Sequence, residues 1–172
     1  MSSRSAQEPP AGVTITHPNR EKAIVQSTRA TVILLLLVST VLILVITFGG
    51  GEVLATSSIG IQIFFAAVYL LLAFFAGRWN RGVLPVASGL AVLLIIFALT
   101  GAPAWFNRDS TGFTQPALSA GLLGLLTLLL VPLQVLLVAF AMRGFQQGWN
   151  VEVEQRGGAE EIGYGGPAPH PA

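Results

Sequence analysis

The chain has 172 residues, 53% of them hydrophobic and only 10% charged, where an average soluble domain carries roughly a quarter charged residues. That deficit points to a bilayer as solvent, and a formal net charge of +1 gives no basis for nucleic-acid binding. No cysteine is present, which excludes disulfides, thiol catalysis, iron–sulfur clusters and thiolate zinc sites.

Residues 1–29 are polar, with Pro9-Pro10 and many small side chains, and read as a disordered N-terminal tail. Ala30 to Phe48 is then an uncharged, largely apolar run, about 28 Å long as a helix and matched to a hydrocarbon core of roughly 30 Å. The run is longer than a signal-peptide core and follows a long polar stretch, so it is expected to stay as span one. Gly49-Gly50-Gly51 breaks it and opens a tight turn; with no lysine after it and no strand before it, a phosphate loop is a poor reading. Span two is Ser58 to Gly77. The short turn Arg78-Trp79-Asn80-Arg81-Gly82 predicts an antiparallel hairpin with span three, Val83 to Gly101, which has Pro85 in its first turn.

Ala102 to Gln115 is the longest connection, and Asn107, Arg108, Asp109, Ser110 and Thr111 make it the most polar segment on its side. It reads either as a recognition loop or as an interfacial loop, with Thr114 or Gln115 capping a helix opened by Pro116. Span four is Pro116 to Met142, long enough to tilt or kink. Residues 30–142 thus predict an all-α, four-transmembrane-helix bundle. Residues 143–172 follow as an interfacial segment and a disordered tail: Phe145 and Trp149 share a helical face, and Val151-Glu152-Val153-Glu154 alternates like a strand.

Every one of the nine Lys and Arg except Arg108 falls on the side of the two termini, and Arg108 shares the opposite side with Glu52 and Asp109. Positive charge resists translocation, so both termini are expected in the cytoplasm, in a plasma membrane. The Ala-, Gly- and Leu-rich, Lys-poor composition fits a bacterial source. Trp79 and Trp149 just past the inner ends, and Trp105, Phe106 and Phe113 around the outer loop, read as interfacial aromatic anchors.

Helices in lipid associate through small residues and through polar side chains that need partners. Gln62, Ala66, Tyr69, Ala73 and Ala76 share one face of span two. Ala117, Gly121, Gly124, Thr127, Gln134 and Ala141 share one face of span four, with Ala120 beside it. Weaker stripes run through Ser39 or Thr40 and Thr47 in span one, and through Ala87, Ser88, Ala91 and Ala98 in span three. Tyr69 and Gln134 lie at the same depth from the inner ends and are predicted to meet. Pro132 releases the carbonyl of Leu128, which makes either a polar hinge near the midplane or a tolerated kink.

Much chemistry is missing. His17 and His170 lie in the tails, the spans hold no ionisable group for ion coupling, and no histidine stands near a membrane-proximal carboxylate. No enzyme, cofactor or metal site is therefore expected. Two readings survive. The first is a structural or accessory component packing against another membrane protein or a second copy of itself. The alternative is a small channel, carrier or lipid-handling protein for a neutral or apolar solute, lined by Gln62, Tyr69, Thr127 and Gln134.

Overall fold

The computed structural model describes residues 13–16, 18–108, 116–149 and 153–156. Asp109, Ser110, Thr111, Phe113, Thr114 and Gln115 of the long loop lie outside the described residues, as do Val151 and Glu152 and the two chain ends. In chain order the elements are β1 (Val13–Thr16), a single turn α1 (Pro18–Glu21), α2 (Ala23–Gly50), a 3-10 turn (Gly51–Val53), α3 (Thr56–Gly77), α4 (Val83–Arg108), α5 (Ala120–Gln146) and β2 (Val153–Arg156). The helices α2, α3, α4 and α5 are each long and apolar enough to cross a membrane. Their outward faces are apolar: Leu34, Phe48, Phe64, Leu71 and Leu125 all stand exposed, more than a water-soluble surface tolerates.

Helix boundaries depart from the sequence reading where a buried stripe overrides local signals. α2 begins at Ala23, seven positions before the predicted start at Ala30, because buried Val25, Thr28 and Val32 continue the face of Leu35 and Ser39 at helical spacing. Residues 1–29 are therefore not a uniform tail. The pair β1–β2 runs antiparallel with Val13 opposite Arg156; the flank before α2 reads as disordered in the sequence, whereas the flank after α5 carries the strand-like alternation from Val151 to Glu154, of which Val153 and Glu154 fall in β2. Val13-Thr14-Ile15-Thr16 is rich in β-branched residues, but it has a partner only once the bundle brings residues 153–156 beside it.

α4 runs past Gly101 through Pro103 to Arg108, since Ala98, Ala102 and Trp105 prolong its buried face and outweigh the two breakers. Pro103 gives up one bond, to the carbonyl of exposed Leu99. α5 starts later than predicted. Pro116 does not open it; Ser119 is extended at the cap position, and the amide of Leu118 instead donates to the Gly49 carbonyl at 3.0 Å, tying this segment to the end of α2. Ala117, assigned to the packing face by its spacing, is exposed and precedes the helix.

The helices pack unequally. α4 lies along α5, and α2 lies against both α3 and α5, but α3 and α4, although consecutive, touch little beyond their short connection. The order around the bundle is therefore α3, α2, α5, α4, with a parting between the first and the last. The seams use the predicted small residues: Ala66, Ala73 and Ala76 on α3, Ala87, Ala91 and Ala98 on α4, and Gly124 and Ala141 on α5 are buried. Gly121 is half-buried.

Candidate functional site

The centre of the bundle holds a closed chain of hydrogen bonds. Tyr69 donates its hydroxyl to Gln134 Oε1 at 2.8 Å, Gln134 Nε2 donates to Ser39 Oγ at 2.8 Å, and Ser39 donates to the Leu35 carbonyl at 2.7 Å. All three side chains are fully buried, and they join α3, α5 and α2. A buried amide would be costly unsatisfied; here its oxygen and nitrogen each have a partner. Pro132 is not part of this arrangement. It is exposed on the outward face of α5, two positions from Gln134 and turned away from it.

Beyond this layer, toward the end remote from the termini, α3 and α4 part and leave a crevice of about 480 Å³. Its floor is Ile43, Phe65, Leu94 and Leu130. Ile43, Phe65 and Leu130 stand one helical turn from Ser39, Tyr69 and Gln134, so the polar chain closes the crevice about 6 Å beneath its floor. Phe65 meets Phe97 edge-to-face at 5.9 Å across the parting. Gln62 and Thr127, predicted as polar lining together with Tyr69 and Gln134, are separated from that pair and border the crevice instead. The Thr127 hydroxyl donates to its own Leu123 carbonyl at 2.7 Å, and the Thr47 hydroxyl lies within bonding distance of both the Ile43 carbonyl and Gln62 Oε1. Ser58 and Arg108 mark the mouth, where Arg108 Nη2 donates to the Val53 carbonyl at 3.3 Å.

Trp105 also lines the crevice and is 7% exposed, so it is packed into the bundle and is not the headgroup anchor its position suggests. Trp149 departs further from that expectation. It is fully buried at the terminal end, set edge-on to Trp79 at 5.8 Å, with its Nε1 donating to Gln147 Oε1 at 3.2 Å. Arg20 Nε donates to the Trp149 carbonyl at 3.2 Å, and Gln147 Nε2 donates to Thr28 Oγ1 at 3.1 Å. These contacts fasten the segments before α2 and after α5 across the terminal end. Two signals for this clasp were in the sequence: Gly144 opposite a nearby tryptophan, and the extension of the α2 stripe through Thr28. The crevice had no comparable signal, because its walls are ordinary apolar residues.

Among the described residues no three His, Cys, Asp or Glu side chains gather to hold a metal ion. The chain matches no family model, no curated protein and no solved structure.

Proposed function

We propose that the chain is a multi-pass plasma-membrane protein with cytoplasmic termini that takes the apolar body of a lipid-like amphiphile into the crevice between α3 and α4. One observation carries this: a cavity of about 480 Å³, within the range of small-molecule sites, has mainly apolar walls and opens sideways between two helices, with Ser58 and Arg108 at its mouth and only Gln62 and Thr127 as polar side chains below it. Phe97 and Ile61 beside the opening are about half exposed, so an acyl chain can enter from the bilayer without crossing a polar layer.

The closed Tyr69–Gln134–Ser39 chain beneath the floor supports binding over conduction. A solute moving on toward the termini would have to part three helices and leave buried polar groups unpaired. The accessory reading drew on small-residue faces for a partner protein. Ala66, Ala73, Ala91 and Ala98 are instead engaged in seams within the bundle, which favours the lipid-handling alternative.

Gly101 provides the test. It lines the crevice, and a Cβ built there meets nothing within 4 Å, so Gly101→Phe fills the cavity without forcing the backbone. Native mass spectrometry of protein released from mild detergent is expected to show one amphiphile per chain in the wild type and none in Gly101→Phe. Equal lipid retention by both, with unchanged helical circular dichroism, rejects the crevice as the site. A stoichiometric protein partner in its place restores the accessory reading.

A further inference from the structure

We infer that the crevice holds an ester-linked lipid by its acyl carbonyls, which accept from the Trp105 indole N–H on α4 and the Gln62 carboxamide N–H on α3; this rests on the lipid-binding reading above. Trp105 lines the crevice and is 7% exposed, yet its Nε1 has no hydrogen-bond partner among the described residues. A buried indole N–H ordinarily finds an acceptor, and one left without is costly. Gln62 is in a similar position. Its Oε1 faces the Thr47 hydroxyl, and its Nε2 has no partner among the described residues.

The two donors stand close in depth, as α2 shows by touching both. Gln62 meets Thr47, and a Cβ built on Gly50 would lie 2.9 Å from Trp105 Cη2, so the ring rests against α2 only three positions, about 4.5 Å, beyond Thr47. Gln62 is itself one turn, about 6 Å, below Ser58 at the mouth. Thr127 adds no donor, since its hydrogen goes to the Leu123 carbonyl at 2.7 Å. Beneath this level the crevice ends on Ile43, Phe65, Leu94 and Leu130. The order from mouth to floor is therefore an open end, two N–H donors from the two helices that part, and an apolar floor. A glycerolipid has the matching order, because its ester carbonyls accept without donating and stand where the headgroup ends and the chains begin. A pure hydrocarbon would leave both N–H groups unpaired, and an ether oxygen is a poorer acceptor than a carbonyl.

The experiment uses the full chain in nanodiscs containing equal amounts of diacyl phosphatidylcholine and its dialkyl ether analogue with chains of the same length, read by native mass spectrometry. Both lipids carry the same headgroup, so charge at the mouth does not enter the comparison. The signal counted is the adduct that Gly101→Phe removes. On that adduct the wild type is expected to favour the ester lipid roughly tenfold, the worth of two neutral hydrogen bonds. Trp105→Phe and Gln62→Met are each expected to lower the preference about threefold. In the wild type, one of the three tryptophan indole N–H resonances is expected to move downfield when ester lipid replaces ether lipid.

Equal occupancy by the two lipids in the wild type overturns the carbonyl assignment and leaves the crevice reading intact, as happens if water satisfies the two N–H groups. A preference undiminished in both Trp105→Phe and Gln62→Met overturns it too, as do indole resonances that stay in place. Absence of any adduct sensitive to Gly101→Phe overturns the lipid-binding reading itself.

Discussion

The Arg29 guanidinium lies 4.2 Å from the centre of the Trp79 ring while its nitrogens donate to the carbonyls of Ala76 and Gly77 at the C-terminal end of α3. One side chain from α2 thus caps α3 and holds the residue that follows it. Trp79 needs holding. It stands at φ 62°, in the left-handed region, where the amides of Trp79 and Asn80 return to the carbonyls of Ala76 and Phe75 in the pattern that usually ends on glycine. The backbone cost of about 1–2 kcal/mol is offset by the Arg29 stack and by the edge contact with Trp149.

This pairing separates strain from packing. Trp79→Ala loses the stack and keeps the strained backbone, whereas Trp79→Gly loses the stack and relieves the strain. Both variants are expected to be less stable than wild type, with the glycine variant more stable than the alanine variant by about 1 kcal/mol. Detergent-denaturant unfolding followed by circular dichroism checks the order, and equal stabilities remove the claim of strain at Trp79.

Arg29 has its own signature. Arg29→Lys keeps the charge but not the planar fork that stacks on Trp79 while reaching two carbonyls. It is expected to recover less than half of what Arg29→Gln loses, and Arg29→Gln to cost about 1–3 kcal/mol. Full rescue by lysine in the same unfolding assay means that charge alone, and not the stack, matters at this position.

The central polar chain is expected to show coupling and little more. Interhelical hydrogen bonds in membrane proteins average about 0.6 kcal/mol and rarely exceed about 1.7 kcal/mol. A double-mutant cycle of Tyr69→Phe and Gln134→Leu should return a coupling within that range. A coupling of zero means that the bond is broken or replaced in the membrane, and with it goes the argument that this layer closes the crevice.

How much of this was legible follows from what each feature depends on. Tyr69 and Gln134 could be paired because depth is counted along a helix and a buried amide must find a partner. Ser39 could not be chosen over Thr40, since neighbouring residues differ by about 100° of rotation and only packing settles which one faces Gln134. The α4 extension was hidden by Gly101 and Pro103, whose local signals are real but weaker than the buried stripe ending in Ala102 and Trp105. The parting of α3 from α4 is a property of four helices together. A short connection fixes that Gly77 and Val83 are near one another and leaves the far ends of the two helices undetermined.

Trp149 was misplaced because belt statistics describe exposed rings, whereas here a glycine makes a slot. A Cβ at Gly144 would sit 2.9 Å from Trp149 Cζ2 and 3.1 Å from Leu84 Cδ1, and the fully buried indole has no room to retreat. Gly144→Ala is therefore expected to cost about 1–3 kcal/mol and to red-shift the tryptophan emission as Trp149 is displaced. Gly124→Ala is the contrast. Its Cβ meets Phe106 Cζ at 2.8 Å, but that ring is 41% exposed and can swing outward, so the cost is expected below about 1 kcal/mol. Equal costs at the two positions mean that Trp149 is not locked.

The orientation can be read on the same molecule because the chain contains no cysteine. Ser57, exposed in the first turn of α3 at the crevice end, and Ser27, exposed near the start of α2 at the terminal end, accept single cysteines on an otherwise unreactive background. Insertion with eight of nine cationic side chains on the terminal side predicts that Ser57→Cys reacts with an impermeant maleimide on intact cells, while Ser27→Cys reacts only after permeabilisation. The reverse pattern places the crevice mouth and Arg108 on the cytoplasmic side.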